Sequence, residues 1–440
     1  MKSFFISGLR PLALAFTVLA TFGRAQTPPP PPTQLAPYYS TATRTPAEAQ
    51  TIGSAFDQIS AEDLARRQVS SLAGALGSVA GAPLAASGAP GAVTSLFLRG
   101  ANSNQTLFLV DGLRLNDPNT DYAVFLGGSC VSGCDSLEIS HGPQSTLYGG
   151  EAVGGVVSLR AQRGAGRPAG RTAVEAGSFG TIQGVVAAQG EQGSNAWNFS
   201  LQGGHTDNER ANNAFDSANT VLRLDRRVNE HVSIGGTARW FHGEYGSPGD
   251  RYTNDPDNEE REDNVLVTTF ADLKLAPAWT ARAVLGGQDR RFVAESPRAG
   301  RPTAVTVVKN RRLVFDAQTT YAGIERHRLT GGLTTEANHT VNTGFGAIDR
   351  EQALFAVFAQ DEFSPVEDVY LTAGLRNDDF DTFGRATTGR ATAAWLVARR
   401  ALKLRASYGT AFRSPSFLDL YGQSAFYQGN PNLRPEEAKG

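Results

Sequence analysis

Residues 197–203 read "WNFSLQG". Trp197, Phe199 and Leu201 fall on one side of an extended chain, and Asn198, Ser200 and Gln202 fall on the other. A strand points successive side chains to opposite faces, so this alternation predicts a sheet with one apolar and one polar face. The pattern recurs downstream. Val232, Ile234, Ala238 and Trp240 oppose Ser233, Thr237 and Arg239; Val369, Leu371, Ala373 and Leu375 oppose Tyr370, Thr372 and Arg376. Leu402, Leu404, Ala406 and Tyr408 oppose Lys403, Arg405 and Ser407. Helical periodicity is absent from about Arg171 onward.

The connections between these runs also alternate. Short ones are expected at Val228–His231, Pro277–Ala278, Pro365–Asp368 and Arg399–Ala401. Long polar ones are expected at Asp207–Asp216, Gly243–Asp263, Glu295–Thr303, Thr340–Asp349 and Phe412–Glu436. Short turns at one end and long loops at the other characterise a transmembrane β-barrel, whereas a soluble β-sandwich has no such asymmetry. In a barrel the apolar face meets lipid and the polar face lines the lumen. Arg239, Arg376, Lys403 and Arg405 are therefore expected to point inward.

Upstream the texture is different. Ser60 with Asp63 forms a capping signal for a helix over "AEDLARRQ", and Ser70 is expected to cap a second helix carrying Leu72, Ala75 and Leu76. Leu96–Arg99, Thr106–Val110 and Leu137–Ser140 read as strands, and Asp111-Gly112 is a hairpin signal. "GPQSTLYGGEAVGGVVSLRA" (Gly142–Ala161) concentrates Gly142, Gly149, Gly150, Gly154 and Gly155 beside an apolar strand. Glycine permits positive φ and close backbone approach, which suits tight turns in a confined space. These features predict an α+β domain ahead of the barrel.

The N-terminus reads as a secretory signal. Lys2 and Arg10 precede the mostly apolar Pro11–Phe22, and Gly23 and Ala25 suit cleavage after Ala25. "TPPPPPTQLAP" (Thr27–Pro37) reads as an extended polyproline spacer. The organisation expected is a signal peptide over 1–25, a Pro-rich segment over 26–44, an α+β domain over 45–165 and barrel over 166–440. The net charge of −2 gives no reason to expect nucleic-acid binding. Cys130 and Cys134 are the only cysteines, and an oxidising compartment favours a local disulfide between them over a metal or redox role. No local pattern sets a nucleophile beside a base, so no enzymatic site is expected.

Three stretches resemble the TonB-dependent outer-membrane receptor family. They are "SLFLRGANSNQTLFLVDGLRLND" (Ser95–Asp117), "GPQSTLYGGEAVGGVVSL" (Gly142–Leu159) and "RASYGTAFRSPSFLDLYG" with "GNPNLRPEE" (Arg405–Glu437). The resemblance implies a plug domain inside a barrel of about 22 strands. About 13 strands are expected after the plug, so the barrel is expected to be incomplete in these residues. The "TATRTP" stretch is most similar to the cobalamin-receptor branch, although ferric-siderophore receptors share most of these features. A passive porin or a structural surface barrel is the competing class.

The resemblance also implies partners and sites. It implies a monomer in outer-membrane lipid, energised by a periplasmic TonB protein that adds a strand to the receptor. By position the TonB box is Pro37, Tyr38, Tyr39, Ser40, Thr41, Ala42 and Thr43. Apical plug loops would offer Ser87, Asn119, Thr120 and Tyr122 to a small-molecule ligand. In "GDRYTNDPDNEEREDN" (Gly249–Asn264), Asp250, Asp255, Asp257, Glu259, Glu262 and Asp263 form either a solvated acidic loop or a calcium site.

Overall fold

The computed structural model describes residues 38–39, 41–120, 122, 131, 135–250, 252–298 and 301–440. The expected signal peptide, the Pro-rich spacer, and Cys130 and Cys134 lie outside the described residues.

A ribbon of β1 (Tyr38–Tyr39) and β2 (Ala47–Glu48) opens the described chain. There follow β3 (Phe56–Ile59), α1 (Ala61–Arg66), α2 (Leu72–Leu76), β4 (Leu84–Ala86), β5 (Thr94–Leu96), β6 (Thr106–Val110), β7 (Leu113–Arg114), β8 (Asp135–His141), α3 (Ser145–Tyr148) and β9 (Gly155–Ala161). Five of these strands form one sheet in the order β3-β8-β9-β6-β7, with β6 and β9 parallel. Leu72, Leu76, Leu98, Phe108, Leu137 and Val157 pack into its core.

Local chemistry explains most of these elements. The Ser60 side chain accepts from the Asp63 amide at 3.0 Å and starts α1 as expected. Ser71, not Ser70, caps α2, because its hydroxyl is the one in reach of the Gly74 amide at 3.0 Å. Asp111 and Gly112 take φ values of 51° and 93° in the two-residue turn between β6 and β7. The strand expected over Leu96–Arg99 ends at Leu96. Beyond it the chain turns, with Arg99 at φ 53° and its amide bonded to the Gly81 carbonyl at 2.7 Å.

The glycine-rich segment splits into two uses. A Cβ on Gly149 would lie 2.9 Å from the carboxylate of Asp378, a barrel residue, so this glycine does let the plug approach the wall. Gly155 does not. It has φ 151°, and a Cβ there would lie 2.3 Å from the Ser140 carbonyl oxygen within the plug sheet. The close approach that these glycines permit thus serves packing within the plug as well as against the wall.

The second body is one antiparallel sheet of fourteen strands in chain order. They are β10 (Ala169–Ala176), β11 (Ile182–Gln192), β12 (Asn195–Thr206), β13 (Phe215–Arg227), β14 (Val232–Gly246), β15 (Glu259–Ala276), β16 (Trp279–Arg298), β17 (Arg301–Tyr321), β18 (His327–Asn342), β19 (Ile348–Phe363), β20 (Val369–Phe380), β21 (Gly384–Val397), β22 (Leu402–Arg413) and β23 (Glu436–Lys439). A helix, α4 (Phe417–Tyr421), precedes β23. β10 and β23 are the two edges, so the sheet is not closed.

Burial along the strands is inverted relative to a water-soluble protein. In β12, Asn198, Ser200 and Gln202 are buried while Leu201 is exposed. In β17, Asn310 and Arg312 are buried while Leu313 and Phe315 are exposed. An apolar outer face with a polar inner face is the pattern of a membrane barrel. No helix among the described residues is long and apolar enough to cross a membrane.

Three expected loops are clearly shorter than the sequence suggested. The one over Thr340–Asp349 spans 343–347, between the end of β18 and the start of β19. The one over Gly243–Asp263 spans 247–258, because β14 continues to Gly246 and β15 already begins at Glu259. The loop over Glu295–Thr303 does not exist at that length: β16 runs to Arg298 and β17 restarts at Arg301. There the ladder continues through Ser296 and Ala304, and polar composition conceals it.

Candidate functional site

The lumen is filled by the plug, and the wall grips it through polar groups. Arg239 on β14 donates to Asp111 at 2.5 Å and to Asp135 at 2.7 Å. All three side chains are less than a tenth exposed. Burial pushes the Asp111 carboxyl up, but the charge and hydrogen bond of Arg239, with the Ala161 amide, outweigh it and hold the group below the usual carboxylate range. Arg290 on β16 donates to Asp117 at 2.9 Å and is also paired with Glu262 at 2.9 Å. Asn310 on β17 donates to the other Asp117 oxygen at 2.8 Å.

Wall side chains also satisfy plug backbone carbonyls. Arg223 donates to Ala161 O at 2.7 Å, Arg312 to Asn116 O at 3.0 Å, Arg390 to Ala42 O at 3.0 Å and Lys403 to Ala49 O at 2.7 Å. These carbonyls end plug strands or lie in loops, where no ladder partner exists. Arg239, Arg376, Lys403 and Arg405 all face the plug, with Arg376 near Leu147 O at 3.4 Å and Arg405 near Ser54 O at 3.5 Å.

The two ends of the plug can be assigned from these contacts. The β4–β5 hairpin meets the long-loop end: a Cβ on Gly91 would touch Phe215 and Tyr245, and Asn208 donates to Pro90 O at 3.2 Å. Ser87 is exposed in that hairpin. Tyr122 is 48% exposed. Thr120 is half-buried, its amide bonded to Asp117 O. Asn119 is not a free apical group. It is 4% exposed, its side-chain oxygen accepts from Asn342 at 3.2 Å, and its carbonyl accepts from the Leu418 amide at 2.9 Å. It clamps the apical loop to β18 and α4.

The opposite end holds the segment before β2. Thr41, Ala42 and Thr43 are buried. The Thr41 amide and hydroxyl donate to Glu138 at 2.8 and 2.6 Å, and the Thr43 carbonyl accepts from Gln360 at 3.1 Å. Arg44 pairs with Asp316 on β17 at 2.5 Å and donates to Leu147 O at 3.0 Å. The expected box is therefore not a uniformly available strand. Its Thr41–Thr43 half is tied down, Tyr38 and Tyr39 are paired with β2, and Pro37 and Ser40 lie outside the described residues. Next to Arg44, a cavity of about 800 Å³ separates the plug from the short-turn half of β13–β18, lined by Asp111, Arg114, Arg282, Asp316 and Glu336.

The acidic stretch is dispersed. Glu259, Glu262 and Asp263 lie on β15 rather than in a loop, with Glu262 on Arg290 and Asp263 on His242 at 2.7 Å. Asp250 and Asp255 accept from nearby backbone amides, at 2.7 Å from Thr253 and 2.8 Å from Asn258. Two such amides, from Tyr252 and Thr253, hold the Asp250 carboxyl below its ordinary value. Asp257 is exposed. Among the described residues no three His, Cys, Asp or Glu side chains are grouped to hold a metal ion. Sequence reasoning missed Asp117, Asn116 and Arg290. The available signal was their placement: Asp117 ends the apical stretch, and Arg290 falls on the inward phase of β16.

Comparison with known proteins agrees with this architecture. The family described as "TonB-dependent Receptor Plug Domain" matches residues 48–156, and "TonB dependent receptor-like, beta-barrel" matches 158–440. The chain is 26% identical over 369 residues to the vitamin B12 transporter BtuB of Photobacterium profundum, covering 80% of this chain and 58% of that protein. It is 25% identical over 404 residues to the BtuB of Vibrio vulnificus, covering 86% and 62%. It thus spans about three fifths of these relatives. Among solved structures, Pseudomonas aeruginosa FpvA bound to a heterologous pyoverdine superposes with a TM-score of 0.76 at 14% identity, covering 91% of this chain and 62% of that one. The siderophore receptor PirA of Acinetobacter baumannii gives 0.71 at 15% identity, covering 89% and 67%. At these identities the structures speak for the fold alone. With a plug seated in a lipid-facing barrel and both domains matched, the chain belongs to the TonB-dependent receptor family, whose members are outer-membrane β-barrels.

Proposed function

We propose that this receptor imports a bulky, scarce solute by energised movement of its plug, and that the solute is cobalamin. The observation that carries the reading is the polar seat of the plug. A passive porin needs an open lumen, whereas here wall residues from β12 to β22 bond to a domain that fills it. Passage requires those bonds to break, so an external pull is needed. The segment at the short-turn end, Thr41–Pro46, is where such a pull acts first. A TonB protein adding a strand near Pro37–Ser40 would load Thr41 and Arg44 directly. The cavity beside Arg44 and Asp316 gives a displaced plug room on one side. Cobalamin is favoured over a ferric siderophore because the sequence relatives named above are vitamin B12 transporters.

The test is binding and uptake in outer membranes carrying the receptor. Labelled cobalamin should bind, and a ferric siderophore at equal concentration should not displace it. Removing TonB should stop uptake and leave binding intact. Siderophore displacement would replace the solute assignment, and TonB-independent uptake would overturn energised transport.

A further inference from the structure

Two neighbouring loops at the long-loop end are joined by side chains that the import reading does not use. The first connects β12 to β13 over 207–214, and the second connects β14 to β15 over 247–258. Arg210 reaches from the first loop into the second. Its Nη1 donates to Gly249 O at 3.0 Å, and its Nη2 faces Pro248 O at 2.8 Å, Asp250 O at 2.9 Å and Asn254 Oδ1 at 3.0 Å. One guanidinium thus meets three successive backbone carbonyls and an amide oxygen. Asn212 adds a second grip, its Nδ2 facing Asn258 O at 3.0 Å, Asp255 O at 3.2 Å and Ser247 O at 3.4 Å.

Such a convergence of carbonyls needs a cause and a remedy. In an extended chain the carbonyls of successive residues point to opposite sides. Gly249, at φ 78°, breaks that alternation, and a Cβ on it would press against the Thr253 carbonyl. Carbonyl oxygens gathered at one point repel unless a cation or several donors fill the space between them, as calcium does in its sites. Arginine supplies both remedies, with five N–H donors in a planar fork and a charge it does not lose.

The acidic side chains of the second loop have other work. Asp250 accepts from the Tyr252 and Thr253 amides at 2.7 Å, and Asp255 accepts from the Asp257 and Asn258 amides at 3.1 and 2.8 Å. They shape turns inside the loop, while Arg210 and Asn212 serve its carbonyls from outside. The first loop also holds the plug. Asn208 donates to Pro90 O in the β4–β5 hairpin at 3.2 Å and to Asn213 O at 2.7 Å. Asn208 and Asn212 take φ values of 54° and 52°, a left-handed conformation that asparagine tolerates, so this short loop coils between its two neighbours.

We propose that Arg210 is a built-in cation that orders the 247–258 loop in place of a bound metal, and so makes one edge of the long-loop rim a fixed wall. The guanidinium stands where a metal would have to sit to meet the same carbonyls. Calcium, with its need for about 6–8 oxygen ligands, would have to displace it. Asn208 extends the order to the plug hairpin, so rim and plug meet the solute as one surface. Order present before binding lowers the cost of binding. That the rim is the solute's entrance rests on the import reading above. The order of the loop is measured without any solute, so either statement can fail alone.

The test is amide hydrogen exchange in the full-length receptor in detergent, with millimolar calcium and with excess chelator. The reporters are the Ser247 amide, bonded to Asn258 O at 2.9 Å, and the Asp255 amide, bonded to Pro248 O at 2.9 Å. Wild type should exchange at the same rate in both buffers, within about twofold. With chelator present, Arg210→Gln should raise both rates about tenfold, the equivalent of one hydrogen bond to a charged group. Arg210→Lys should raise them about threefold, because an ammonium keeps the charge and loses the fork. Arg385→Gln, elsewhere on the wall, should change neither, and the ladders of β18–β20 should stay protected in every variant. Wild-type rates that rise about tenfold with chelator would show that a metal orders the loop and would overturn the proposal. Unchanged rates in Arg210→Gln would show that the loop holds itself and would overturn it equally.

Discussion

Replacing Arg239 by Leu is the sharpest test of how the plug is held. The change leaves Asp111 and Asp135 facing an apolar side chain, at 6% and 0% side-chain exposure. Removing one partner of a buried ion pair costs about 3–5 kcal/mol, because the remaining charge stays desolvated. Asp111 keeps its bond from the Ala161 amide, so about 4 kcal/mol is expected. That is close to a thousandfold change in an opening equilibrium. Amide hydrogen exchange in detergent should report it at the β6–β7 turn and at Ala161, with the ladders of β18–β20 unaffected. Adding Asp111→Asn to Arg239→Leu should recover part of the loss, with a coupling of at least about 1.5 kcal/mol. Acid should act in opposite directions on the two proteins. In wild type the Asp111 pKa is held down, so its contribution is full above the unfolded carboxylate value and disappears as pH falls through the lower folded one. In Arg239→Leu the unpaired buried carboxyl is raised, so the deficit is full at neutral pH and shrinks on acidification. Exchange at Ala161 within threefold of wild type at neutral pH, or a deficit that widens with acid, would refute the reasoning.

Asp316→Asn removes the charge that Arg44 pairs with at 2.5 Å; protease cleavage within Thr41–Pro46 should rise about tenfold, while cleavage of the β16–β17 hairpin stays constant. Gly155→Ala forces a methyl onto the Ser140 carbonyl at a strained φ of 151°. It should cost more than the usual 1–3 kcal/mol of overpacking, giving a heat-modifiable barrel with a protease-sensitive plug. On the proposed reading of a cobalamin receptor with Tyr122 at the ligand surface, Tyr122→Ala should weaken cobalamin binding about tenfold. Asn119→Ala should leave that affinity within twofold and instead destabilise plug docking by about 1–2 kcal/mol, because Asn342 loses its acceptor.

What the sequence revealed was whatever depends on near neighbours. The period of two in "WNFSLQG" assigned Asn198 and Leu201 to opposite faces, and the burial of one and exposure of the other agree. The Ser60 cap and the Asp111-Gly112 turn are set within four residues, and both occur as read. Inward phase placed Arg239 and Lys403 in the lumen. It could not name Asp111, or the carbonyl of Ala49, as their partners. Those contacts join residues 128 and 354 positions apart and arise only when the sheet curls round the plug. Asn119 misled for the same reason: a loop residue reads as solvated until a distant strand and helix close over it. The stretch over Glu295–Thr303 misled differently, since a strand extending beyond the membrane is wet on both faces and loses the apolar alternation.

The character of the seat bears on how a plug can be both firm and removable. Its internal core is apolar, and among the buried residues of that cluster only Leu266 and Val314 come from the wall. Apolar contacts such as Ala161 with Val221 also cross the interface, beside the many hydrogen bonds and ion pairs described above. An apolar interface would resist separation until its whole area was exposed, at about 25 cal/mol for each Å². A polar one can be undone a bond at a time, because water replaces each partner and the net value of one hydrogen bond is only about 0.5–1.5 kcal/mol, or about 1.5–3 kcal/mol where a partner is charged. The Ala42 carbonyl with Arg390, the Thr43 carbonyl with Gln360 and Arg44 with Asp316 are the first such bonds met from the N-terminal side, and Asp111 with Arg239 comes later. Force applied at Thr41 therefore meets a series of modest barriers rather than a single large one. The apolar sheet core of the plug is left intact until the seat has given way.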